Sequence, residues 1–249
     1  MRYFVELSYL GKNYHGWQIQ PNAVTVQEKV NTAFSLILNT PILTTAAGRT
    51  DTGVHASQMF VHIDTELKIN SDNYIYKINS VLPDDIVIHA IFLVKNDAHT
   101  RFSATQRSYE YKIYLGRNAF TLDTTWQLYK QEIDVAKMNE AASILKNYTN
   151  FKCFSKSKTG VKTYNCSITH AEWIKEGESL TFHITADRFL RNMVRAIVGT
   201  LVAIGTGKNT LEDLITIIES QDRSMAGTSV PPQGLTLTAV KYPETIKHD

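Results

Sequence analysis

Tyr3, Val5, Leu7 and Tyr9 alternate with Phe4, Glu6 and Ser8, the period of a half-buried strand. Gly11 opens a polar, aromatic-rich loop. Thr25 followed by Glu28 has the form of a capping box, and Val26, Val30, Ala33, Phe34 and Ile37 then recur at helical spacing until Asn39-Thr40-Pro41. Ile42–Ala47 reads as a short strand, Gly48–Ala56 as a loop, and residues 58–64 as a second strand. A helix is expected over Asp72–Asn79, stopped by Leu82-Pro83, and a strong strand over Ile86–Val94. In the second half, Tyr109, Tyr111, Ile113 and Leu115 alternate as a strand, and Val135, Met138, Ala142 and Leu145 mark a helix. Strands over 168–174 and 180–186 flank the turn Glu176-Gly177-Glu178-Ser179. A helix is predicted over 187–204, and another after Thr210 with Leu211, Leu214, Ile215 and Ile218 on its inner face. Leu235–Val240 forms a last strand. Hairpin-like strand pairs mixed with helices, rather than strict alternation, predict an α+β fold with antiparallel sheet. The polar stretch Lys95–Thr100 suggests a boundary: an N-terminal domain over 1–100 and a C-terminal domain over 101–249.

Composition narrows the class. With 249 residues, 43% hydrophobic and 20% charged, the chain can bury a full core without disulfides or metal. Two cysteines, Cys153 and Cys166, exclude a disulfide scaffold and lack the spacing and partners of a metal site. No apolar run is long enough to span a membrane, and the N-terminus reads as a strand rather than a leader, so a soluble cytoplasmic protein is expected. The net charge of +2 says little, but its distribution says more. Lys152, Lys156, Lys158 and Lys162 fall within a stretch free of carboxylates, with Phe151, Phe154 and Tyr164 around them. Lysines among aromatics suit phosphates and stacked bases; a solvated loop has the same composition.

Three stretches carry candidate chemistry. In Ala47-Gly48-Arg49-Thr50-Asp51-Thr52-Gly53-Val54-His55-Ala56, two glycines bracket one carboxylate beside one cation. An adjacent arginine favours the ionised carboxylate, which suits a nucleophile or electrostatic stabiliser better than a general acid. A purely structural Asx turn fits the loop as well, and His55 is either a base or a structural histidine. In Arg188-Phe189-Leu190-Arg191-Asn192-Met193-Val194-Arg195, a helix would align Arg188, Arg191 and Arg195 beside an apolar stripe, ready for phosphates or for the loop carboxylate. In Arg101–Tyr111, arginines alternate with aromatics where a strand begins. There Tyr109 can set a ring against a base, or Tyr109 and Tyr111 can simply face the core. Gly205-Thr206-Gly207-Lys208 lacks the glycine spacing of a P-loop, and nothing calls for a metal or organic cofactor.

These stretches, with Tyr14-His15-Gly16-Trp17-Gln18-Ile19-Gln20, Val26-Gln27-Glu28 and Pro231-Pro232-Gln233-Gly234-Leu235, occur in the order found in the tRNA pseudouridine synthase A family, which the chain resembles over residues 2–243. Thr236 departs from the pattern, where an aromatic is frequent. The resemblance implies two α/β domains sharing an extended antiparallel sheet with flanking helices and a basic cleft between them. It implies a cytoplasmic homodimer, no cofactor and no membrane, with the anticodon arm of tRNA as partner. The activity implied is isomerisation of uridine to pseudouridine at tRNA positions 38, 39 and 40, with the base flipped out of its stack. Asp51 would be the catalytic carboxylate, with Tyr109 and Arg195 as its catalytic companions. Arg49, His55, Gln58, Arg188, Arg191, Lys152, Lys156 and Lys158, together with Tyr109, would contact RNA. A non-catalytic binder of structured RNA is the alternative, and it has little use for a carboxylate placed near phosphates.

Overall fold

The computed structural model describes residues 1–157 and 160–247. Along the chain lie β1 (Arg2–Tyr9), α1 (Val26–Leu38), β2 (Thr45–Ala46), β3 (His55–Asp64), α2 (Ser71–Asn79) and β4 (Ile86–Val94). They are followed by β5 (Gln106–Tyr114), β6 (Trp126–Gln127), α3 (Val135–Leu145), β7 (Ile168–Glu176), β8 (Ser179–Ala186), α4 (Met193–Gly205), α5 (Leu211–Ser220) and β9 (Leu235–Lys241). The fold class is α+β. Two compact units emerge: Met1–Gln106 together with the chain from Leu237 on, and Arg107–Thr236. The expected division left everything after residue 100 in the second domain, whereas the contacts assign nearly all of the last strand and the C-terminal residues to the first unit.

In the first unit the strand order is β4-β1-β3-β9, with β2 on β3. β1 runs antiparallel to both β3 and β4. Being central, β1 and β3 bury residues on both faces. Phe4 is as inaccessible as Val5 and Leu7, so the simple alternation read from β1 holds for Glu6 and Ser8 but not for Phe4. Phe4 is covered by Tyr242, whose ring also meets Phe60 edge-on at 5.4 Å. These aromatic contacts are the physical reason the chain's end belongs here. Thr25 caps α1, its side chain accepting from Glu28 N.

In the second unit the order is β5-β8-β7. β8 pairs antiparallel with β5 and β7, whereas the two-residue β6 lies parallel to β5 through Ile113–Trp126 and Tyr114–Gln127. α3 packs on β7 and α4, burying Met138, Ala142 and Leu145. Thr210 and Asp213 form a reciprocal capping box that starts α5. In this unit a helix boundary differs from expectation. The helix predicted from residue 187 starts at Met193, because Asn192 takes a left-handed φ of 67° and the segment before it is held outside the helix. The Asp187 carboxylate holds that segment by accepting from Ser167 N at 2.7 Å and Arg188 N at 2.8 Å. Arg188 and Arg191 therefore precede α4 and do not align with Arg195 along one helix edge. No helix among the described residues is long and apolar enough to cross a membrane.

Candidate active site

The Asp51 turn is moulded by another stretch of backbone. Val54 N donates to the Asp51 carbonyl at 3.1 Å, and Gly53 at φ 77° lets the chain turn so sharply. Residues 11–17, leaving β1, run against this turn. Trp17 N donates to the Thr50 carbonyl at 3.2 Å, and Gly53 N donates to the Tyr14 carbonyl at 3.3 Å. Gly11 N donates to His55 Nδ1, and the Tyr9 hydroxyl meets Thr50 Oγ1, both at 2.8 Å. The approach is so close that only glycine fits. A Cβ on Gly16 would lie 2.5 Å from the Thr50 carbonyl oxygen, and one on Gly11 would lie 2.0 Å from that of Val54. Gly16 also holds a φ of 84°. The mould is anchored in turn by α1, whose first amides, Val26 N and Gln27 N, donate to the carbonyls of Gly16 and Trp17. Asp51 sits half-buried on this frame.

The sequence motif marked the turn but not its mould. Gly11 reads in sequence only as the start of a loop, and Tyr14 and Gly16 as part of a family stretch; the local signal is a pair of glycines bracketing the buried Tyr14. Gly48, which the motif also highlighted, has nothing within 4 Å of where a Cβ would stand.

Two neighbouring residues are occupied by the frame. His55 is 2% exposed, and by accepting the Gly11 amide its Nδ1 is the unprotonated nitrogen. Gln58 donates from Nε2 to Glu6 at 2.8 Å and accepts from Val240 N at 3.0 Å, so both ends of its amide are engaged within the first unit. Arg49 is exposed.

In the second unit Tyr109 lies on β5 opposite Ile184, half-buried, with its ring edge-on to Phe189 at 5.2 Å and 90°. Tyr111, two residues on, is fully buried and donates to the Pro231 carbonyl at 2.8 Å; burial pushes its hydroxyl pKa up. Of the two tyrosines, only Tyr111 is wholly a core residue. Gly234 allows this packing, since a Cβ there would lie 2.7 Å from the Tyr111 ring. Arg195, in the first turn of α4, donates from Nε to the Val230 carbonyl at 2.7 Å, and its own carbonyl accepts from Val230 N. This doubled link fixes where the arginine stem points. Arg107 Nη1 donates to the Asp187 carbonyl, and Lys156 N to that of Arg191, tying the segment before α4 to its surroundings.

Lys152 and Lys156 are exposed, as is Lys162; Lys158 lies outside the described residues. The aromatics around them behave differently from the expectation. Phe151 and Phe154 are wholly buried and belong to the core, leaving Tyr164 as the half-exposed ring, with Lys152 Nζ 5.9 Å from its centre. Lysines here alternate with core anchors and not with free stacking surfaces.

Comparison with known proteins identifies the family. Residues 141–243 match the family model for tRNA pseudouridine synthase. tRNA pseudouridine synthase A of Bacteroides thetaiotaomicron is 50% identical over 248 residues, 98% of this chain and 92% of the relative. That of Parabacteroides distasonis is 46% identical over 98% of this chain and 97% of the relative. That of Syntrophomonas wolfei is 40% identical over 97% of both. With likeness running through nearly the whole length of both partners, the chain belongs to the tRNA pseudouridine synthase A family.

Proposed function

We infer that the protein is a tRNA-modifying isomerase that converts uridine to pseudouridine, acting at positions 38, 39 and 40 of the anticodon arm with Asp51 as its essential carboxylate. The observation that carries the reading is the moulded turn: the backbone on either side of Asp51 is held at Thr50 and at Gly53, in a chain of this family. Pre-organisation of this kind serves a group that must meet developing charge without moving.

The reaction breaks the bond between N1 and C1′ and makes one between C5 and C1′. The hydrogen leaves C5 as a proton, N1 regains one, and no electrons are exchanged, so redox chemistry is not required. The uridine must leave its stack before its sugar is reachable. The Asp51 carboxylate then acts at the electron-poor C1′, as glycosidase carboxylates do. Tyr109 is assigned to stack on the detached base and to assist loss of the C5 proton. Arg195 is assigned to bind a flanking phosphate. Arg49, Arg188, Arg191, Lys152, Lys156 and Lys158 are assigned to the RNA backbone. His55 supports the turn by accepting the Gly11 amide, and Gln58 ties β3 to Glu6 and Val240. A homodimer offering one arm of tRNA to two subunits, working in the cytoplasm, completes the proposal.

The test is release of tritium from tRNA labelled at uridine C5, with wild type beside Asp51→Ala. Release by the wild type alone, mapped to positions 38, 39 and 40, is the expected result. Tight binding with no release by the wild type would leave a structured-RNA binder. Release by Asp51→Ala would remove the carboxylate from the chemistry.

A further inference from the structure

The mould around the Asp51 turn has an outer buttress that the reaction scheme does not use. β1 lies between β3 and β4, so the loop leaving β1 emerges between two other turns. On one flank is the Asp51 turn leading into β3. On the other is the turn leading into β4, which carries Asp85. Both carboxylate oxygens of Asp85 reach into the loop: Oδ1 accepts from the Tyr14 hydroxyl, and Oδ2 accepts from Asn13 Nδ2 at 2.9 Å. Its backbone carbonyl also accepts from Leu10 N at 3.0 Å, where β1 ends. Tyr14 is 4% exposed, so its hydroxyl needs an acceptor inside the protein. The opposite side of that residue faces the turn, its carbonyl receiving Gly53 N. Tyr14 is thus a strut with one end on Asp85 and the other two residues from Asp51.

We propose that Asp85 is a positioning residue for the isomerisation, setting through Tyr14 and Asn13 the place of the 11–17 loop and thereby the direction of the Asp51 carboxylate. The proposal rests on the reading of Asp51 as the essential carboxylate. A carboxylate suits the post because it offers two acceptors to two donors fixed in space, and each charge-assisted bond is stronger than a neutral one. Asparagine has the same shape but turns one of those acceptors into a donor: turned to the Asn13 amide it sets donor against donor, and turned to Tyr14 it makes the hydroxyl accept and takes the carboxylate away from the phenolic proton. The loss would reach Asp51 as displacement, and displacement of a reacting group by about 1 Å can cost about a hundredfold in rate.

The experiment measures single-turnover tritium release at saturating tRNA, together with tRNA affinity and thermal unfolding. The variants are Asp85→Asn, Tyr14→Phe, the pair combined, and Asp51→Ala. A rate slower by about tenfold to about a hundredfold is expected for Asp85→Asn and for Tyr14→Phe, on the order of a small misplacement. tRNA affinity should stay within about threefold of wild type, since neither residue is assigned to RNA. The combined variant should be about as slow as the slower single one, because both remove the same strut. A rate within about twofold of wild type, a loss that tracks weaker tRNA binding, or multiplicative losses in the pair would each overturn the proposal. If Asp85→Asn does not fold, Tyr14→Phe decides by the same rate criterion. Turnover by Asp51→Ala would instead defeat the reading of the reaction, an outcome separate from any result at Asp85.

Discussion

The Asp51 turn and the lysine segment at 152–162 both draw notice as charged loops, yet they are built in opposite ways. The turn has backbone pressed against it at Thr50 and Val54, glycines where no side chain fits, and the α1 N-terminus behind the mould. The lysine segment roots itself through Phe151, Cys153 and Phe154 and leaves Lys152 and Lys156 projecting from that root. A carboxylate that must meet one carbon atom needs a fixed place. Cations that neutralise phosphates work through a field that tolerates movement. The contrast teaches that charge in a loop announces its task by what holds the loop, not by the charge itself.

That contrast sets an order of sensitivity. Asp51→Ala should abolish tritium release while leaving tRNA affinity nearly intact; retained turnover would collapse the distinction. Next comes Gly16→Ala, which places a Cβ 2.5 Å from a carbonyl oxygen on a backbone at φ 84°. We expect a loss of about 2–4 kcal/mol in stability and about a hundredfold in single-turnover rate. Gly48→Ala, in the same stretch but with open space around it, should leave the melting temperature unchanged. Equal melting temperatures for both alanine variants would show that the mould does not bear on the turn.

A smaller effect concerns acid. His62 on β3 is 6% exposed, with its Nδ1 2.9 Å from Thr100 Oγ1 and its ring 4.7 Å from that of His99. Burial, and then the nearby Arg2 and His99, push its pKa from 6.5 down to about 4. The unfolded chain therefore binds this proton more readily. Stability from His62 is complete above pH 6.5 and drains away as pH falls towards 4, by about 3 kcal/mol over the window. Denaturant titrations of wild type and His62→Gln at pH 7.5 and 4.5 should show the steeper acid loss in wild type only. The mildest outcome belongs to the lysines. Lys152→Gln and Lys156→Gln should each weaken tRNA binding a few-fold and reduce the salt slope by up to about 0.9, with the rate at saturation unchanged. An unaltered slope would place the RNA elsewhere.

Most elements were legible because each is written in its own residues. β4 follows its apolar run from Ile86 to Val94, and α3 follows Val135, Met138, Ala142 and Leu145. The Asp51 turn was legible as a motif because its glycines and charges are consecutive. The hidden features depend on residues far apart in sequence. The role of Gly11 and Gly16 appears only once β1 and β3 are paired. Gln58 resembles an RNA contact until Glu6 and Val240 are seen to occupy it. The start of α4 is hidden in the sequence because arginines and apolar residues at helical spacing run through it, while Asp187, whose carboxylate caps two amides outside any helix, and Asn192, whose backbone breaks the run, act only in the folded chain. In sequence Phe151 and Phe154 suit a stacking surface and a solvated loop alike, because an aromatic flanked by lysines looks the same whether it faces water or the core.

The return of the chain's end to the first unit has a consequence for how the protein comes off the ribosome. β3 gains its neighbour β9, Gln58 its partner at Val240, and Phe4 and Phe60 their cover at Tyr242 only after residues 107–236 have been made. The second unit is one uninterrupted run and can fold while synthesis continues; the first, though begun earlier, must wait half-assembled with an open flank on β3. The unit that carries Asp51 is therefore the last to be finished, and a nascent chain halted shortly before Leu237 would hold an Asp51 domain still lacking its closing strand.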